Sequence, residues 1–227
     1  MLSDYQTLVI DLVRDDAAKI QTAERDRAIQ LAVRRYSKDR ERIKVEDLTP
    51  TDANTLPLPQ AWEADHSEMR SLETPIGQLP PVYLEQGRWA FYDTPSAQVI
   101  RTLDAVTVAA AAVRARYTIT HVVSANLDTI PVGDREPVAC WAAAICCDQL
   151  ASLYSGESDS TISADSVQSG SRAQEYAKRA ASLRKRYENE IGVDDKRNIA
   201  AGAVVTLDQA DSQGQPRLTH PMRRLNN

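Results

Sequence analysis

The chain has 227 residues, 42% of them hydrophobic and 26% charged, with a formal net charge of -5 at pH 7. That length buries a real core in one domain, or one domain with an insertion, and a pI near 5.3 lacks the basic footprint of a tight nucleic-acid binder. Three cysteines cannot make a disulfide framework and predict a reducing compartment, while eight glycines without a G-x-G-x-x-G or G-x-x-x-x-G-K-[ST] run exclude the common nucleotide-binding loops.

Residues 4–14 place Tyr5, Leu8, Val9, Leu12 and Val13 at helical spacing, with Ser3 as the expected N-cap. Thr22 is expected to cap a second helix whose apolar stripe is Ile29, Ala32, Val33 and Tyr36, ending near Asp39. The Met1–Asp4 start lacks a basic segment followed by an apolar one, so no secretory signal is expected.

Seven of the eleven prolines fall between Pro50 and Pro95, and proline is excluded from helix interiors and central strands, so a loop-rich β region is expected there. Strands are predicted at Arg42 to Glu46, Arg88 to Tyr92, Gln98 to Leu103 and Val113 to Val123. In the last, Val113, Ala115, Tyr117, Ile119 and His121 point one way and Arg114, Arg116, Thr118 and Thr120 the other, which leaves one polar, wet face.

Helix returns after Gly133. Asp134 is the expected N-cap of a helix whose run Val138 to Tyr154 is apolar nearly all round, a buried central helix. The longest apolar run, Val138 to Cys147, is about half the ~20 residues a bilayer span needs, so no membrane anchor is expected. After a polar connection over residues 155–170, Ser171 with Gln174 predicts the start of a fourth helix, striped by Ala173, Tyr176, Ala177, Ala180, Leu183, Tyr187 and Ile191 and stopped by Gly192. Residues 193–227 lose all periodicity and end basic, as an arm of about 35 residues able to reach ~115 Å at ~3.3 Å per residue.

The expected fold is therefore α+β: a four-helix bundle from residues 1–47 and 134–192, an inserted β-rich region at 48–133, and an extended C-terminal arm at 193–227. Charge divides the same way. The first segment is neutral, the middle acidic and the arm slightly basic.

No catalytic constellation stands out. Cys140, Cys146 and Cys147 share one predicted helix without a nearby histidine, which suits packing thiols rather than a metal site. No metal and no cofactor is expected. Trp62, Tyr83 and Trp89, with Phe91 and Tyr92, crowd a proline-rich stretch and read either as a small satellite core or as an interface patch. Lys178, Arg179, Arg184, Lys185 and Arg186 on the fourth helix are interspersed with glutamates, as on a solvated face.

The order of segments resembles head-to-tail adaptor (connector) proteins of tailed bacteriophages. The resemblance runs over residues 3–192, through Asp4-Tyr5 to Val13, Arg34 to Arg40, Trp62 with Ser67, Glu73 and Pro75, Pro80-Pro81, Tyr117 to His121, the alanine-rich helix after Asp134, the Asp159 to Val167 connection and the Tyr176 to Tyr187 helix. It implies a non-enzymatic virion protein at the head-tail interface, present in the host cytoplasm during assembly. Such a protein forms a ring, commonly of twelve copies, beneath the portal protein and presents a platform to the next neck or tail protein. The arm, with Arg217, Met222, Arg223, Arg224 and Leu225, is then the portal-binding element, and the mildly acidic body lets double-stranded DNA pass without sequence-specific binding. The rivals are a tail-terminator or stopper of the same neck and a hydrolase using His121 with a nearby carboxylate. A backbone partner on a packed His121 speaks against the hydrolase, and a cleft shared with Asp or Glu speaks for it.

Overall fold

The computed structural model describes residues 1–15, 18–157 and 165–192. Four helices, α1 (Leu2–Val13), α2 (Thr22–Asp39), α3 (Arg135–Glu157) and α4 (Asp165–Ile191), accompany six strands: β1 (Arg42–Leu48), β2 (Thr55–Pro57), β3 (Met69–Glu73), β4 (Trp89–Asp93), β5 (Gln98–Thr102) and β6 (Val113–Ile119). The expected arm at 193–227, including Arg217, Met222, Arg223, Arg224 and Leu225, lies outside the described residues, as does most of the Asp159 to Val167 connection.

The helices pack around α3, which meets α1, α2 and α4. Alanines 139, 142, 143 and 144 and all three cysteines of α3 are fully buried, and side chains this small let three neighbouring helices approach one axis. Tyr5, Val9 and Val13 of α1, Ile29, Ala32, Val33 and Tyr36 of α2, and Ala180, Leu183, Tyr187 and Ile191 of α4 complete this core. The segment Val132–Gly156 is long and apolar enough to cross a membrane by length and composition, and here it is the helix the other three cover.

The helix ends differ from expectation in detail. Met1, not Ser3, is the N-cap of α1, and Gln21 precedes α2, its N–H donating to the Glu24 carboxylate at 2.8 Å. Asp134 ends a single 3-10 turn, Val132–Asp134, and accepts the Tyr36 hydroxyl at 2.5 Å. Helix α4 begins at Asp165, so the Ser171 pattern lies inside it; serine costs a helix interior only a few tenths of a kcal/mol, roughly, and does not force an end. Gly192, at φ 74, takes the left-handed conformation that stops the helix.

The four-helix bundle with an inserted β-rich region is not what forms. The fold is α+β with four helices and two three-stranded antiparallel sheets, ordered β1-β6-β3 and β2-β5-β4. Two physical features separate it from a bundle. The helices surround one central member instead of alternating as equivalent neighbours, and the sheets carry a second core of their own, built on Leu48, Leu56, Leu72, Ile100, Val113, Ala115 and Tyr117. Local periodicity identifies elements, but layering depends on pairings such as Arg42 with Ile119, far apart in sequence.

Four buried tyrosines tie the elements together. Each places its ring in a core and its hydroxyl on a carboxylate: Tyr5 of α1 on Asp128 at 3.4 Å, Tyr36 of α2 on Asp134, Tyr117 of β6 on Glu46 of β1 at 2.8 Å, and Tyr187 of α4 on Asp39 of α2 at 2.7 Å. Burial, followed by the neighbouring carboxylate, pushes all four phenols well above their ordinary range. They remain protonated donors, which a buried tyrosine needs.

Candidate functional site

The second sheet ends in an exposed aromatic strand. Thr94 and Ser96 make the turn between β4 and β5, where Thr94 N–H donates to the Ala97 carbonyl at 2.9 Å, and β4 then runs along the sheet edge. On one face Trp89 meets Phe91 edge-on at 5.8 Å, and Trp62 lies 5.1 Å from Phe91 and 5.9 Å from Tyr117. On the other, Tyr92 is 53% exposed beneath the Arg101 guanidinium, 5.2 Å from the ring centroid.

Of the aromatic residues singled out from sequence, Trp62 and Trp89 come together, half-buried, against the sheet core. Tyr83 is exposed on the segment that borders β3, where Thr74 N–H donates to the Val82 carbonyl and Leu84 N–H to the Leu72 carbonyl. It has no ring contact with the tryptophans among the described residues.

Strand β1 forms the free edge of the first sheet and is inverted. Arg42, Lys44 and Glu46 take the more covered side, while Ile43 and Val45, 43% and 53% exposed, face out. The register that does this is held by Tyr117 on Glu46 and by Arg114, whose Nε lies 2.7 Å from Asp47. A slip of one residue would bury Ile43 and Val45 and expel Glu46. Sequence alternation marks β1 as a strand, but the side it buries is fixed by pairing with β6, so this apolar pair was not legible as exposed.

His121 follows β6 and is 9% exposed. Its backbone N–H donates to Ser37 Oγ at 2.9 Å, its ring stands edge-on to Tyr36, and Nδ1 donates to the Thr129 carbonyl at 3.1 Å. Burial holds its pKa below the ordinary value of 6.5, against the opposing pull of the backbone oxygens. The ring borders a cavity of about 360 Å³ that Glu63 also lines. Both Glu63 oxygens face Thr120, accepting its hydroxyl at 2.9 Å and its N–H at 3.3 Å, and no carboxylate is hydrogen-bonded to His121 among the described residues.

The three thiols are fully buried in α3, and burial pushes Cys140, Cys146 and Cys147 up to about 11, 12 and 11. Thiols held this far from ionisation are inert packing groups. No group of three or more His, Cys, Asp or Glu able to hold a metal occurs among the described residues.

On α4, Arg184 pairs with Asp148, Arg186 lies 2.8 Å from Glu190 and 2.5 Å from Glu136, and Arg179 donates to the Val13 carbonyl at 2.7 Å. Lys178 and Lys185 are exposed. Three of the five basic side chains are thus engaged within the chain. Among known proteins, no family model and no curated sequence matches this chain.

Proposed function

We propose that the chain is a structural head-to-tail adaptor of a tailed bacteriophage, forming a ring under the portal that links the DNA-filled head to the neck and lets double-stranded DNA pass. The reading starts from the order of segments described above, and one structural observation carries it: a rigid helical core joined to a β layer whose free edge displays Phe91 and Tyr92 to solvent. Exposed aromatic side chains on an unpaired strand are expensive to leave bare and are typical of surfaces that another chain covers. The fixed geometry of the sheets suits a scaffold that must hold a constant radius while DNA moves through it.

The test is reconstitution. Purified chain mixed with portal rings should give a stable complex, and native mass measurement should count about twelve chains per ring, as the family resemblance implies. Six copies that bind a tail tube and ignore the portal would instead identify a terminator or stopper. Failure to associate with either would overturn the structural reading.

A further inference from the structure

We infer that neighbouring copies of this chain join edge to edge, strand β1 of one copy pairing antiparallel with strand β4 of the next. The inference rests on the ring reading above and names the contact that would build it.

Three observations lead there. First, β1 and β4 are the outer strands of two different sheets, and no backbone hydrogen bond reaches the far edge of either among the described residues. Second, each free edge exposes an apolar pair, Ile43 and Val45 on β1, where they alternate with Arg42, Lys44 and Glu46, and Phe91 and Tyr92 on β4. The outward placement on β1 is enforced, because the register that exposes this pair is the one that gives Glu46 to Tyr117 and Asp47 to Arg114. Third, the two edges are complementary in charge. β1 opens with Arg42, and β4 closes with Asp93, whose present partner is the neutral Gln98.

One antiparallel register places Arg42 opposite Asp93, Ile43 opposite Tyr92 and Val45 opposite Ala90. It joins unlike charges at the rim and apolar pairs on one face, with the cross-strand contacts that stabilise sheets. Because the two edges differ, the contact is head-to-tail. Contacts of that kind close into rings when the rotation per copy permits. The occupant of each edge is therefore the unlike edge of a second copy of this chain and not the same strand of a two-fold-related copy.

Two surface substitutions test this. Val45→Lys blocks the β1 edge and Ala90→Lys, opposite it in this register, the β4 edge; both sites are solvent-exposed, and circular dichroism with thermal melting checks the fold. In sedimentation velocity at the highest soluble concentration, wild type should assemble and each variant alone should run as a monomer of 25.1 kDa. An equimolar mixture should stop at the dimer, since one intact β1 and one intact β4 remain between the two chains. Independently, Val45→Cys with Ala90→Cys in one chain should give a ladder of disulfide-linked oligomers on mild oxidation, because the native thiols are buried, whereas each single cysteine variant should give none.

Wild type that stays monomeric, a variant that dimerises by itself, a mixture that stays monomeric, or absence of the ladder each overturns the inference. If both variants still form portal-bound rings of normal stoichiometry, the edges are wrong and the adaptor reading stands. If wild type assembles through these edges yet never binds portals, the adaptor reading fails and the edge contact stands.

Discussion

Glu46 sits under the first sheet with two oxygens to satisfy. Burial alone would raise its pKa, but the Gln60 N–H, the Tyr117 hydroxyl and Lys44 outweigh that and hold it below the ordinary 4.5. A carboxylate with a depressed folded pKa stabilises the fold above its unfolded value, and that stability is lost as pH falls through the folded value. Tyr117→Phe should therefore cost about 1.5–3 kcal/mol near neutral pH, the usual worth of a hydrogen bond to a charged group. The gap to wild type should narrow below about pH 4.5 in urea titrations. A constant gap across acid pH would mean that the ring packing, and not the hydroxyl, was lost. His121 works with the same sign for a different reason: burial lowers its folded pKa below 6.5, so the unfolded chain binds more protons and stability declines as pH drops below 6.5. His121→Gln should flatten the pH dependence of the melting temperature between about pH 7 and pH 5. An unchanged slope would place the titrating group elsewhere.

The elements most legible in the sequence are those whose burial is one-sided or complete. The run from Val138 predicts a buried central helix, and α3 is that helix through Leu150, although Gln149, Ser152 and Leu153 are exposed; Val113, Ala115, Tyr117 and Ile119 alternate inward, and β6 buries all four. Thr118, expected on the wet face, is buried because its hydroxyl accepts the Glu68 N–H at 2.8 Å, a partner 50 residues away that no local pattern reveals. Strands β2 and β3 escape sequence reading, the first being three residues long and ending in Pro57, the second broken in register between Met69 and Ser71. The aromatic crowd of the candidate site was visible, whereas the outward pair on β1 was not, since alternation shows that two faces differ without saying which one is covered. The alanines of α3 make a further point at this scale. With Ala143 fully buried where helices converge, Ala143→Leu should overpack the core and cost about 1–3 kcal/mol, while Ala181→Leu on the exposed side of α4 should stay within roughly 0.5 kcal/mol. Equal melting temperatures for the two variants would show that α3 has room to spare.

At the scale of the molecule, residues Met1–Val193 form one compact unit that nevertheless holds two hydrophobic cores, one among the helices and one between the sheets. They are linked where chain and hydrogen bonds leave little slack. α2 ends at Asp39 and β1 begins at Arg42. His121, just past β6, donates its N–H to Ser37 and sets its ring on Tyr36 of α2. Melting either core would strip these partners from buried groups of the other and leave polar atoms unsatisfied, which is the condition for cooperative unfolding. The tryptophans are placed to report on this separately. Trp141 packs on Tyr187 at 4.9 Å in the helical core, while Trp62 and Trp89 line the sheet core. A variant retaining only Trp141 and one retaining only Trp62 and Trp89, each followed by fluorescence in urea alongside the helical circular dichroism signal, should give coincident midpoints. Separated midpoints would mean that the β layer unfolds on its own, leaving the helical core intact, and that Ser37, Tyr36 and His121 are too weak a joint to couple them.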